Sequence, residues 1–336
     1  MKRRSFLQLG LGYGALATAS MGVAPAWALP IAQGGLQWSQ RTLNAMGTSM
    51  TFKVAHADPA VAERALNQSV ADIRHIEDQM SLFRPDSAIS ELNRTGMLRD
   101  PHPDMVAILQ IAESVSRKSN GAFDVTVQPL WQAFESAQRQ GRLPDTAAIA
   151  AARQRVDWRG VRVSTDAIRL ERAGMGITLN GIAQGYAADK VKARLQKAGI
   201  AHALVDSGEW SALGQPAHAG DWTLGIADPR NARQLIAGIA LKGRCLATSA
   251  DDQCTFSPDF SNHHIFDPHT GRSPAELASV SVLANTCVMA DALTKVFFMA
   301  GYARALPLAA KWGVDVLVVS KQGRWQASPG VALQQV

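Results

Sequence analysis

With 336 residues, 47% of them apolar and 18% charged, the chain can bury one large core or two ordinary ones and is not a disordered polymer. The formal charge of +6 does not mark a nucleic-acid binder, because Lys2, Arg3 and Arg4 lie in a segment expected to be removed; residues 5–28 carry no charge, so +3 remains. Cys245, Cys254 and Cys287 form no CxxC or CxxCH spacing, so zinc, redox-pair and haem readings have no motif behind them, while one disulfide and three buried thiols both stay open.

The chain begins "MKRRSFLQ", and an uncharged run from Ser5 ends in the small-x-small triplet Ala26-Trp27-Ala28. This reads as a twin-arginine signal peptide over residues 1–28, cleaved after Ala28, and it predicts a periplasmic protein. Gly10, Gly12, Gly14 and Gly22 break the run, which is too short and too weakly apolar to span, so the protein is expected to be peripheral to a membrane at most. "GLGYGA" within it imitates a dinucleotide loop, but no strand precedes it.

Leu66, Val70, Ile73, Ile76 and Met80 predict an amphipathic helix over 61–80. Met105, Ile108, Ala112 and Val115 predict a second, stopped at Asn120-Gly121. "GAFDVTVQPLW" at 121–131 reads as a helix exit leading into a strand, and the weakly periodic 135–160 as an internal excursion. Further helices are expected from Gln184 to Lys197 and from Val288 to Ala300, stopped by Gly199 and Gly301. Strands are expected at 202–206, 222–227, 279–284 and 314–319. Without regular strand-helix alternation, repeats or a long linker, the fold class is α+β, with residues 29–336 in one compact unit of two lobes.

Four clusters carry possible chemistry. "HHIFDPHTG" at 263–271 holds three histidines, but His263 and His264 face opposite sides of an extended segment, which argues against a zinc site from this run alone. Asp267 to Gly271 is good turn chemistry. If 245–266 forms a hairpin, Thr248 and Ser249 come close to it and could hold an anionic group. A serine-hydrolase reading of Ser249, His264 and Asp267 lacks a G-x-S-x-G elbow. "TLNGIAQGYAADK" brings Gly181 and Gly185 into a helix start, where backbone can approach a ligand. "ADALTK" sets Asp291, Thr294 and Lys295 on one helical face, at its plainest an Asp–Lys pair. The fourth cluster is "GAFDVTVQPLW" itself.

Taken in order, "NAMGTSMTF", "MSLFRPDSAISELN", "GAFDVTVQPLW", "LNGIAQGYAADKV", "LVDSGEWSALG", "LATS…HHIFDPHTG" and "SVSVLANTCVMADALTKVFFMAG" resemble the ApbE family of FAD:protein FMN transferases over nearly the whole mature chain. The resemblance implies mixed and antiparallel sheets flanked by helices, and binding of FAD with Mg²⁺. It implies that FMN is attached to a threonine or serine of an acceptor protein with an FMN-binding domain, and that AMP is released. Met46, Phe83, Ala122, Phe123 and Asp124 would line the nucleotide site, Phe83 standing where the family usually has tyrosine. Thr248, Ser249 and Thr270 would help hold the nucleotide, His264 would act as base on the acceptor hydroxyl, and Asp267 would shape the catalytic turn. Thr178 and Gln184 belong to the same nucleotide site but stand where the family usually has aspartate and a charged residue, commonly lysine.

The implied metal set is the Gly181 carbonyl, Asp291 and a threonine four residues on. Lys295 occupies that fourth position and Thr294 lies one residue out of step. An ammonium is no Mg²⁺ ligand, and Lys295 could replace part of the metal's charge. These departures, with the export signal, resemble a branch serving nitrous oxide reductase maturation through a membrane-bound flavoprotein. Two other readings are a flavin-binding carrier or maturation partner without turnover, and an FAD pyrophosphatase that passes FMN to water.

Overall fold

A computed structural model describes residues 35–217 and 220–334; the signal peptide expected at 1–28 lies outside them. The strands are β1 (Gln37–Ala45), β2 (Thr48–His56), β3 (Met97–Arg99), β4 (Val161–Val163), β5 (Ala167–Leu170), β6 (His202–Asp206), β7 (Trp210–Leu213), β8 (Thr223–Asp228), β9 (Asn231–Ala240), β10 (Cys245–Ala250), β11 (Leu277–Ala284), β12 (Asp315–Ser320), β13 (Trp325–Ala327) and β14 (Leu333–Gln334). The helices are α1 (Pro59–Met80), α2 (Ala88–Thr95), α3 (Pro103–Lys118), α4 (Gln128–Gln138), α5 (Thr146–Arg153), α6 (Ala183–Lys197), α7 (Cys287–Ala300) and α8 (Tyr302–Trp312).

The fold is α+β. An eight-stranded antiparallel sheet runs in the order β1-β2-β6-β7-β10-β11-β12-β13, beside three-stranded sheets β14-β9-β8 and β3-β5-β4. Both faces of the large sheet are covered, and the two-residue period of the strands divides the core. Val205, Cys245, Ala247, Val316 and Val318 point to the helical side, packing with residues of α1, α6 and α7. Their neighbours Leu204, Leu246, Leu317 and Val319 point the other way, against Leu224, Ile226 and Ile239 of β8 and β9.

The predicted helices form within a few residues of their expected ends because their stop and start chemistry is local. Asp58 caps α1, accepting from the Ala60 N–H at 2.8 Å with Pro59 in the first turn, and the chain leaves α7 through Gly301 at φ 75°.

Two expectations are corrected. "GAFDVTVQPLW" enters no strand: Asp124 caps a short 3₁₀ turn at 125–127, and Pro129 opens α4. The segment 245–266 is not a hairpin. β10 is flanked by β7 and β11, and the chain from 251 to 276 makes an excursion closed by a single bridge between Thr255 and His263. The reason is burial: all eight residues of β11 are buried, and this strand outcompetes the polar 255–263 segment for the edge of β10. The excursion packs on α4 and α5 through Leu130, Phe134, Ile149, Ala152 and Phe266. All three cysteines are free thiols. Among the described residues, no helix is long and apolar enough to cross a membrane.

Candidate functional site

A cleft of about 510 Å³ opens where the ends of β6, β7 and β10 meet the start of α4, the loop into α6 and the 251–268 excursion. That volume suits a nucleotide-sized ligand. It brings together Ala122, Phe123, Asp124, Thr178, Gly181, Gln184, Thr248, Ser249, His264 and Lys295, which the sequence placed in four separate clusters. A small recess lined by Met46, Met80, Ser81 and Phe83 shares Asn180 and Gln184 with the cleft. Met46 sits in the left-handed region at φ 50°, its N–H donating to Glu77 at 2.6 Å, while Phe83 is 60% exposed and offers an apolar face at the rim.

His264 keeps its place through the excursion. Its backbone N–H donates to the Cys254 carbonyl at 3.0 Å, and its Nδ1 lies 3.2 Å from the same oxygen. A carbonyl only accepts, so Nδ1 carries the proton in the neutral ring and Nε2 is the basic nitrogen. His263 is fully buried near the Pro274 carbonyl, and burial pushes its pKa down to about 4. His269 is exposed.

Asp267 and Thr270 do not line the cleft. The two Asp267 oxygens accept from the His269 N–H at 2.9 Å and the Thr270 hydroxyl at 3.0 Å, and the Asp267 carbonyl accepts from Gly271 N–H. Both side chains are spent on the turn, and Pro268 from that turn reaches the cleft wall. Asp267 is thus a positioning residue. Asp124 both lines the cleft and ties it: it accepts from Thr126 N–H and hydroxyl at 2.7 and 2.6 Å and from Trp158 N–H at 3.0 Å. Burial, against these bonds, raises its pKa.

The floor is where the sequence said least. Asp206, Glu209 and Asp252 line the cleft with Asp124 and Asp228. Burial pushes Asp206 and Asp252 up to about 6, Asp252 with help from Asp251. Glu209 goes well above its ordinary value, first by burial and then by Asp291, against the pull of Lys295; it accepts from Thr248 N–H at 3.0 Å. Single carboxylates carry no spacing signal, and only the "DSGEW" block around Asp206 and Glu209 hinted at them. Trp131 adds an aromatic wall, edge-on to Phe256 at 5.4 Å.

In the cleft lining, Lys295 Nζ lies 2.6 Å from Asp291 Oδ1 and donates to the Asp291 carbonyl at 3.1 Å, while Asp291 Oδ2 accepts from Gly185 N–H at 3.1 Å. A Cβ on Gly181 would meet Lys295 Cε at 3.0 Å, so the lysine stem lies against that glycine; one on Gly185 would meet the Asp291 Cβ at 2.8 Å, which is why α6 and α7 can pack so closely there. Thr294 is fully buried and faces away: its hydroxyl donates to the Asp291 carbonyl at 2.7 Å and lies 2.8 Å from Ser249 Oγ.

These residues do not fit a Mg²⁺ ion. Both Asp291 oxygens are taken by donors, Thr294 is turned inward, and an ammonium lies between Gly181 and Asp291, where Mg²⁺ demands near-octahedral oxygen ligation.

Known proteins resemble this chain in both sequence and fold. The family model described as the ApbE family matches residues 46–318. A FAD:protein FMN transferase of Treponema pallidum is 31% identical over 309 residues, covering 85% of this chain and 85% of that protein. The crystal structure of the ApbE protein from Thermotoga maritima superposes with a TM-score of 0.78 at 26% identity, covering 87% of this chain and 97% of that one. The apo form of Pseudomonas stutzeri flavinyl transferase ApbE does so with a TM-score of 0.76 at 26% identity, covering 88% and 95%. With the match spanning the residues that line the cleft, the chain belongs to the ApbE family.

Proposed function

We propose that this protein is an FAD:protein FMN transferase that attaches FMN to a threonine or serine of an acceptor flavoprotein outside the cytoplasm and releases AMP. The observation that carries the reading is a nucleotide-sized cleft holding one oriented histidine and one lysine in a family whose relatives bear that name. The twin-arginine segment supports export, and export of folded proteins by that route would allow FAD to be loaded before transit.

In the reaction, the acceptor hydroxyl oxygen attacks the phosphorus on the flavin side of the pyrophosphate. Its proton passes to His264 Nε2, the P–O bond to the bridging oxygen breaks, and AMP leaves with that oxygen. Such a transfer depends on in-line placement and on neutralising the developing charge. We assign the second task to the Lys295 ammonium, held by Asp291 beside Gly181. The raised Glu209 supports this, because a protonated carboxyl there is one anion fewer beside a pyrophosphate.

The test mixes the protein with FAD and a flavin-acceptor domain, with EDTA or with Mg²⁺, and reads protein-bound flavin fluorescence on denaturing gels together with AMP. Labelling that persists in EDTA and becomes Mg²⁺-dependent in Lys295→Thr is the expected result. Labelling abolished by EDTA in the native protein would overturn the role of Lys295 alone. FAD binding without labelling or AMP, over several acceptors, would favour the carrier, and AMP without labelled protein the pyrophosphatase.

A further inference from the structure

We propose that His75, His102 and Asp104 form a binding site for one divalent transition-metal ion of the zinc class, separate from the cleft. None of the three lines the cleft or its recess, and the proposal stands whether or not the protein transfers FMN. Among the described residues this is the one group of three histidine, cysteine or carboxylate side chains whose donor atoms lie close enough to share an ion.

The geometry is that of a coordination triangle. His75 projects from α1 near its C-terminal end. His102 is the N-cap of α3, its Nδ1 accepting from Asp104 N–H at 3.2 Å; that nitrogen has one lone pair, so an ion bound there would take the place of this long cap bond. His75 Nε2 lies 3.1 Å from His102 Nδ1, and these atoms lie 3.8 and 3.6 Å from Asp104 Oδ2. The centre of a triangle with those sides is about 2 Å from every corner, the length of a zinc–nitrogen or zinc–oxygen bond. The two rings meet edge to face with centroids 4.1 Å apart, so the contact is made by nitrogens and not by stacking.

The surroundings are those of a supported ligand set. Asp104 Oδ1, the oxygen turned away from the histidines, accepts from the Tyr186 hydroxyl at 2.6 Å and from Lys190 Nζ at 2.9 Å. Both come from α6 and aim Oδ2 at the imidazoles, the role outer partners play around metal carboxylates.

The His75 and His102 side chains are 38% and 41% exposed and that of Asp104 11%, so an ion can enter from solvent and keep a water in the fourth position. Lys190 offsets the carboxylate charge, which favours an exchangeable ion over a permanent one. Once bound, the ion would join α1 to the start of α3 and, through Asp104, to α6, whose first residues reach the cleft.

The experiment uses the tag-free protein stripped with EDTA and titrated with Co²⁺ by visible absorption, followed by displacement with Zn²⁺. The expected result is one Co²⁺ per chain with strong tetrahedral-type absorption, displaced by Zn²⁺. Binding should be weakened roughly tenfold or more by His75→Ala and by His102→Asn, the latter keeping the helix cap. Zn²⁺ should also raise the Tm of the native protein and not that of His75→Ala. Absence of binding above the chelated background, or unchanged affinity in His75→Ala, overturns the proposal. Both histidines are substantially exposed and their variants are expected to fold; a matching circular dichroism spectrum separates loss of the site from loss of the fold.

Discussion

Asp291 and Asp104 are both buried carboxylates, 1% and 8% exposed, and they dispose of their charge in opposite ways. Asp291 has each oxygen taken by the chain itself, one by Lys295 and one by Gly185 N–H. The pair is complete, and what reaches the cleft from it is a cation. Asp104 has one oxygen taken by Tyr186 and Lys190 and turns the other toward two imidazole nitrogens. With both oxygens engaged, Asp291 can take no further ligand, whereas Lys190 and Tyr186 share one Asp104 oxygen and leave the other facing the imidazoles.

The largest effects should come from the cleft. If Lys295 serves phosphoryl transfer, the proton must still go to His264, so His264→Ala should lower transfer about 10²- to 10⁴-fold while FAD binding stays within a few-fold. Flavin labelling and fluorescence titration check the two halves, and unchanged transfer removes His264 from its role.

Next in size is the contrast between the two lysines. Lys295→Met strands a nearly fully buried carboxylate with a single N–H donor and should cost about 3–5 kcal/mol in urea unfolding. Lys190→Met, at a lysine 42% exposed whose partner keeps Tyr186, should cost at most about 1 kcal/mol. Equal costs would dissolve the comparison.

Tyr186→Phe removes an orienting bond without touching a proposed ligand. It should weaken Zn²⁺ about tenfold, measured by competition with a chelating indicator, and leave labelling unchanged.

The smallest effect is a pair of opposite pH slopes. Asp206 is raised from 3.8 to about 6, so the folded state holds its proton more tightly than the unfolded chain. Its contribution to stability is complete below about pH 4 and is lost as pH rises through about 6. Asp104 is lowered, so its contribution is present above its ordinary value and lost as pH falls through the depressed one. Asp206→Asn should flatten the fall in Tm between pH 4 and 6, and Asp104→Asn the fall on the acid side. The same slope in variant and native protein would show that the carboxyl in question does not titrate as described.

Much of the fold was legible because it depends on neighbours in sequence. The spacing of Leu66, Ile73, Ile76 and Met80 and the stop at Gly301 place helices in the chain as in the structure. The 128–153 helices were missed because Pro129 and a polar face hide their period, and their apolar side is completed only by Phe266 from far along the chain. Much of the cleft lining was legible for another reason: its residues stand in motif blocks whose order resembles a family. Asp267 and Thr270 belong to such a block too, yet the structure assigns their side chains to the turn.

By itself, then, the sequence determined the helix positions, the α+β class and the set of blocks that meet at the cleft, since periodicity, turn chemistry and motif order are local properties. Only the tertiary structure decided that Asp206, Glu209 and Asp252 line one cleft, that Thr294 turns inward while Lys295 takes the place beside Gly181, and that His75 faces His102 across 27 residues. Charge state and coordination depend on burial and on distances between side chains remote in sequence, and both come into being only when the helices and sheets pack.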